Sequence, residues 1–88
     1  MISKTLTIIN KLGLHARASS KLVSLANQYQ SKITIEKDGQ TANAKSLMTL
    51  MMLAASLGSV ITLSADGSDQ NQALESITNL IQNKFGEE

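Results

Sequence analysis

The chain has no cysteine and no proline, a single histidine and two aromatic residues among its 88 positions. Without Cys there can be no disulfide staple, thiolate metal site or cysteine nucleophile. Zinc would need carboxylate partners, and His15 has none nearby in sequence. Tyr29 and Phe85 are too few to form a base-stacking platform, and a net charge of +1 is no nucleic-acid footprint. The longest apolar run, Leu50 to Ala55, is six residues, against the roughly 20 a membrane span requires. Ile2 to Ile9 alternates with Ser, Lys and Thr, so no signal peptide is expected. The length fits one domain over 1–88, burying a little over ~60% of the unfolded surface. The expectation is a soluble, cytoplasmic protein with neither metal nor cofactor, that inserts in no membrane and binds no nucleic acid.

The small net charge conceals a split. Residues 1–45 hold seven basic groups against Glu36 and Asp38, a net of +5, whereas residues 46–88 hold Lys84 against five acids, a net of −4. Lys11, Arg17 and Lys21 flank the only His. A solvated surface explains such asymmetry, and so does an end of the domain that steers an anionic partner.

Periodicity gives the elements. Ile2 to Ile9 reads as a strand, with Leu6 and Ile8 on one face and Thr5 and Thr7 on the other. After a loop at Asn10 to Leu14, apolar positions Ala18, Leu22, Leu25, Ala26 and Tyr29 form one stripe of a helix over 16–29. Ile33 to Lys37 and Gln40 to Ala44 are short extended runs joined by Asp38-Gly39, the signal of a type I′ hairpin. Ser46 is placed to cap a short helix over 47–53, with its hydroxyl as acceptor. Ser59 to Ala65 reads as a fourth strand, and Gly67 to Asp69 as a turn that caps the last helix. Ala73, Leu74, Ile77, Leu80, Ile81 and Phe85 form the stripe of that helix, with Lys84 in its last turn and Gly86 as its C′ glycine. The order β-α-β-β-α-β-α predicts an α+β two-layer sandwich, and a ferredoxin-like arrangement with an extra terminal helix fits the same string.

Chemistry concentrates at Gly13-Leu14-His15-Ala16-Arg17. His15 is the only group that titrates near neutrality without special tuning, and it stands where a glycine-containing loop enters a helix. The first amides of that helix, at Ala16 and Arg17, lack intrahelical acceptors, and the helix dipole adds partial positive charge. A phosphoryl group on the imidazole would meet those donors and the Arg17 guanidinium. A neutral imidazole can take up such a group covalently and surrender it to the next acceptor. On spacing alone, a lone His at a helix start is more often only a cap or an ordinary surface residue.

Gly13-Leu14-His15-Ala16-Arg17-Ala18-Ser19 closely resembles the phosphorylation-site motif of the HPr family, the histidine-containing phosphocarriers of the bacterial phosphoenolpyruvate-dependent phosphotransferase system. Asn43-Ala44-Lys45-Ser46-Leu47-Met48 resembles that family's second signature, and Met51-Met52-Leu53, Gly58 and Gly67 extend the likeness over essentially the whole chain. The resemblance implies an open-faced β-sandwich, a four-stranded antiparallel sheet with three helices on one face. It implies His15 as phosphoacceptor through Nδ1, assisted by Arg17 and the Ala16 amide, with enzyme I as donor and enzyme IIA proteins as acceptors. The chain would be a carrier with a covalent phosphohistidine intermediate, acting as a monomer, not a stand-alone catalyst. Ala18 stands where the family usually has Pro, a mild exchange in a first helical turn. Ala54 stands where Gly is common, which alters the surface after the short helix.

Ser46 carries two readings: an ordinary N-cap, or, by the resemblance, the target of an HPr kinase/phosphorylase. Its phosphate would oppose an acidic partner without unfolding the domain. The short helix is apolar nearly all round, so some of Leu47, Met48, Met51 and Met52 should be exposed and, with Lys21, contact partners. Two other functions fit less of the sequence: a carrier of the nitrogen-related branch of the phosphotransferase system, or a small ferredoxin-like binding module in which His15 is only a cap.

Overall fold

A computed structural model describes residues 1–87. Strand β1 (Ile2–Thr7) leads through a loop to helix α1 (Ala16–Ala26), then to the hairpin of β2 (Lys32–Lys37) and β3 (Gln40–Asn43). Helix α2 (Leu47–Met52), strand β4 (Val60–Asp66) and helix α3 (Gln70–Gln82) follow, and a 3₁₀ turn occupies Lys84–Gly86. The sheet order is β1-β4-β2-β3, with every neighbouring pair antiparallel. This is the four-stranded antiparallel sheet with three helices that was expected.

Alternation along the strands decides which sheet face the helices cover. Register pairs Leu6 with Ile61, and Ile33 and Ile35 with Ala65 and Leu63, so the buried side chains fall on one face. Against them pack Ala18, Leu22 and Ala26 of α1, Leu50 of α2, and Ala73, Ile77 and Ile81 of α3. Each fully buried Leu or Ile stabilises this layer by about 1.5–3 kcal/mol. The other face carries Ser3, Thr5, Thr34, Thr62 and Ser64, whose polarity suits an uncovered sheet surface. The Asp38-Gly39 turn has φ of 51° and 83°, as a type I′ turn demands.

Local structure departs from the sequence expectations at several ends. Helix α1 stops at Ala26, not Tyr29, because Gln28 and Tyr29 bond back to Leu25 and Ala26 in a tightened final turn. Ser46 does occupy the N-cap of α2, but its hydroxyl makes no cap bond. Thr49 Oγ1 separately donates to the carbonyls of Asn43 and Ser46, which ties the first turn of α2 to the end of β3. Asp69 stands at the N-cap of α3, yet its carboxylate leaves the helix to accept from the Gln30 and Ser31 amides and the Ser31 hydroxyl. The Ser31 hydroxyl, followed by the Gln30 amide, holds the Asp69 pKa below its ordinary value.

Helix α3 ends before Phe85, which therefore does not extend its stripe along the helix. Lys84, Phe85 and Gly86 have φ of 55°, 55° and 76°. Left-handed backbone costs an L-residue about 1–2 kcal/mol, here offset by burying the Phe85 ring to 1% exposure. The turn reverses the chain towards the start of α1.

Candidate functional site

The loop before α1 is built from a buried amide and a close backbone approach. Asn10 is fully buried and its Nδ2 donates to the Gly13 carbonyl at 2.8 Å. Gly13 has φ +64° and packs so tightly that a Cβ there would lie 2.3 Å from the Ala55 carbonyl oxygen. Leu14 N then donates to that same oxygen at 2.8 Å, and Ser19 Oγ bonds the Leu14 carbonyl at 3.0 Å. These contacts fix the entry into α1 and place His15 at its N-cap in extended backbone geometry.

The His15 ring makes no side-chain cap bond, so its position is not explained as a helix cap. Its side chain is 28% exposed. Nε2 pairs with Oε2 of Glu87, and Oε1 of the same carboxylate accepts from Asn10 Nδ2 at 3.1 Å. An ionised carboxylate can only accept, so the neutral ring carries its proton on Nε2. Among the described residues no bond engages Nδ1, which leaves its lone pair available to an electrophile. Desolvation pushes the Glu87 pKa up, but the hydrogen bonds from Asn10 and His15, the charge the ring carries when it is protonated and the Lys21 ammonium outweigh this and hold it below the ordinary Glu value.

His15 opens on a recess of about 820 Å³ lined by Lys11, Leu12, Ala16, Arg17, Lys21, Gly86 and Glu87. The basic cluster seen in sequence is thus gathered in space around the ring. Arg17 is exposed and has no ion pair among the described residues, so its guanidinium is available to an incoming anion. Lys21 is more constrained: its ammonium donates to the Phe85 carbonyl at 2.6 Å. Among the described residues no group of three or more His, Cys, Asp or Glu could hold a metal ion. No helix among them is long and apolar enough to cross a membrane.

Helix α2 packs beside α1, the helix with His15 at its N-cap. Leu50 and Leu53 turn inward, at 0% and 4% exposure, while Met48 and Met52 are 73% and 72% exposed. Leu47 and Met51 are also exposed. Met52 stands apart from the other three: it borders a separate cleft with Gln40, Thr41 and Thr49 on the β3 side. Ser46 is half-buried and does not line the His15 recess. Ala54, where the resembling family commonly has Gly, takes φ of 52°, so the turn after α2 retains a glycine-like conformation.

Three residues of the site were not singled out in the sequence. Leu12 is 68% exposed at the recess, but a single loop leucine carries no periodic signal. Asn10 and Glu87 are separated by 77 positions, and Glu87 lies 72 from His15. No local pattern announces such pairings.

A family model described as the phosphorylation site of the HPr component of the phosphotransferase system matches residues 2–83. Phosphocarrier protein HPr of Cupriavidus necator is 49% identical over 99% of this chain and 98% of its own length. Phosphocarrier protein NPr of Shewanella violacea is 43% identical over 98% of this chain and 94% of its own. The crystal structure of HPr-C-His from Thermoanaerobacter tengcongensis superposes with a TM-score of 0.97 at 45% identity, covering 100% of this chain and 99% of that one. A match along nearly the full length, in sequence and in three dimensions, places this chain in the HPr family of phosphocarriers of the phosphotransferase system.

Proposed function

We propose that the chain accepts a phosphoryl group on His15 Nδ1 from phosphorylated enzyme I, the group originating in phosphoenolpyruvate, and passes it to enzyme IIA proteins. The observation that carries this reading is the partner of Nε2: with Glu87 holding that nitrogen's proton, Nδ1 is the nucleophile. Its lone pair forms the new N–P bond as the N–P bond of the donor phosphohistidine breaks. Arg17 and the first amides of α1, those of Ala16 and Arg17, supply positive charge to the phosphoryl oxygens, which favours a loose in-line transfer. Lys11 and Lys21 extend that charge over the recess and steer an acidic partner towards it. Leu12, Leu47, Met48 and Met51 are exposed apolar side chains on the loop and helix bordering α1, suited to small interfaces that release quickly.

Ser46 is the regulatory position in this reading, modified by an HPr kinase/phosphorylase. Its hydroxyl has no cap bond to lose, so a phosphate there adds charge beside the docking helix while leaving the fold's own bonding in place.

Incubation with enzyme I and phosphoenolpyruvate tests the carrier function. An acid-labile adduct present in the unmodified chain and missing in His15→Ala is the expected result; no adduct on the unmodified chain refutes it. The relative named NPr favours a second reading, service in the nitrogen-related branch. Transfer from the phosphorylated chain to a nitrogen-type enzyme IIA, but not to sugar-type enzymes IIA, would establish that alternative.

A further inference from the structure

The segment after α3 does more than close the fold. The left-handed stretch at Lys84 to Gly86 redirects the chain, the Phe85 ring is buried to 1% exposure, and Lys21 Nζ grips the Phe85 carbonyl at 2.6 Å. Two further bonds, Gly86 N to Asn83 O at 3.0 Å and Glu87 N to Lys84 O at 2.8 Å, tighten the turn. Consecutive left-handed L-residues are uncommon, and backbone of this kind concentrates where position matters for function. What the turn delivers is the Glu87 carboxylate, one oxygen on His15 Nε2 and the other on Asn10 Nδ2. Asn10 in turn is fully buried and bonded to Gly13, so the carboxylate is referenced to the same loop that carries the imidazole.

From this we infer that Asn10 and Glu87 form a positioning relay that selects which nitrogen of His15 reacts. Neither residue is a catalytic residue, since Glu87 bonds Nε2 and not the nitrogen that reacts, and Asn10 bonds Glu87 and the Gly13 carbonyl. Glu87 acts through the ring by fixing the proton on Nε2 and limiting rotation, as carboxylates do behind other reactive or metal-bound imidazoles. Asn10 acts through Glu87 by holding the second oxygen. In an imidazole with no such partner both nitrogens are open to phosphorylation, and Nε2, being farther from the backbone, is the less hindered. The relay reverses that preference. When Nδ1 attacks, its lone pair makes the N–P bond and the donor's bond to phosphorus breaks. The Nε2 proton stays between ring and carboxylate, so no proton need be moved during the transfer.

The inference deepens the carrier reading and rests on His15 being the acceptor, so its test uses a small donor in place of the partner enzyme. Phosphoramidate phosphorylates imidazole by forming N–P and releasing ammonia, with no protein interface to impose a choice. The unmodified chain, Glu87→Ala and Glu87→Gln are treated with potassium phosphoramidate, and the modified nitrogen of His15 is read by ring ¹H–¹⁵N correlation spectra. The unmodified chain is expected to carry the group on Nδ1, and Glu87→Gln, which retains an acceptor for Nε2–H, to keep most of that preference. Glu87→Ala is expected to lose it, with the Nε2 product rising at least several-fold and phosphorylation by enzyme I falling about tenfold. A purely structural role for Glu87 would change melting temperature and leave the ratio of the two products alone. An unchanged ratio in Glu87→Ala, or Nε2 as the principal site in the unmodified chain, overturns the relay. The carrier reading itself stands or falls separately, on the phosphoenolpyruvate assay.

Discussion

Replacing Gly13 by Ala joins the fold to the site in one perturbation, and Gly39→Ala is its control. Both glycines have positive φ, 64° and 83°, so an Ala at either incurs a left-handed penalty of about 1–2 kcal/mol. Their surroundings differ. At Gly39 nothing lies within 4 Å of an added Cβ, whereas at Gly13 it would meet the Ala55 carbonyl oxygen at 2.3 Å and Ser56 Cα at 2.7 Å. Those are backbone atoms, and no change of rotamer relieves the clash. The loop must move apart, opening the 2.8 Å bond from Leu14 N to Ala55 O and leaving a buried amide unpaired, a further loss of about 1–3 kcal/mol. Gly13→Ala should therefore lose about 3 kcal/mol and Gly39→Ala about 1 kcal/mol. Urea unfolding followed by circular dichroism measures this as a drop in midpoint at constant slope. On heating, the difference of about 2 kcal/mol corresponds to roughly 8–16 °C for a chain of this size. Gly13→Ala should also slow phosphorylation of His15, because the Gly13 carbonyl anchors Asn10. Equal losses at the two glycines would refute the close-approach argument.

Other consequences concern charge, conformation and docking. Because the Asp69 pKa is depressed in the folded chain, its contribution to stability is present at pH values above the unfolded value, near 3.8, and is lost as pH falls through the lower folded value. Asp69→Asn should flatten that acid limb in a series of urea titrations at different pH. Ala54→Gly should stabilise by about 1 kcal/mol, since it relieves a left-handed Ala in open surface, and differential scanning calorimetry would show the rise. Ser46→Asp should lower the rate of phosphorylation by enzyme I about tenfold through like-charge repulsion, with the melting temperature nearly unchanged; an unaltered rate counts against regulation at this position. Met48→Lys should raise the KM for enzyme I about 5- to 30-fold and leave stability within about 0.5 kcal/mol, as its side chain is already in water.

What could be read from residues alone is what depends on near neighbours in the chain. The Asp38-Gly39 hairpin is a property of two adjacent backbones, and the stripe of Ala73, Ile77 and Ile81 is a helical period; both stand in the structure as expected. The placement of His15 at a helix entrance belongs to the same class, since Gly13 and the first turn of α1 adjoin it. The exposure of Met48 and Met52 followed from arithmetic, as so short a helix cannot turn six apolar side chains inward.

Tertiary structure decided everything that needed a distant partner. Which strands adjoin, in the order β1-β4-β2-β3, depends on how the helices fill one face, which no single segment specifies. Ser46 and Asp69 both look like helix caps in sequence, but a side-chain oxygen takes the best donor the fold brings to it. For Asp69 that donor set is Ser31 and Gln30, whereas the Ser46 hydroxyl stands at its cap position without a cap bond. Phe85 completes the apolar stripe by composition, yet reaches the core only through a reversed backbone turn. That reversal brings Glu87 to His15. The sequence determined that the chain has one imidazole and a basic setting for it, because those lie side by side along the backbone. Only the folded chain determined which nitrogen is free, because that is set by a carboxylate 72 positions away.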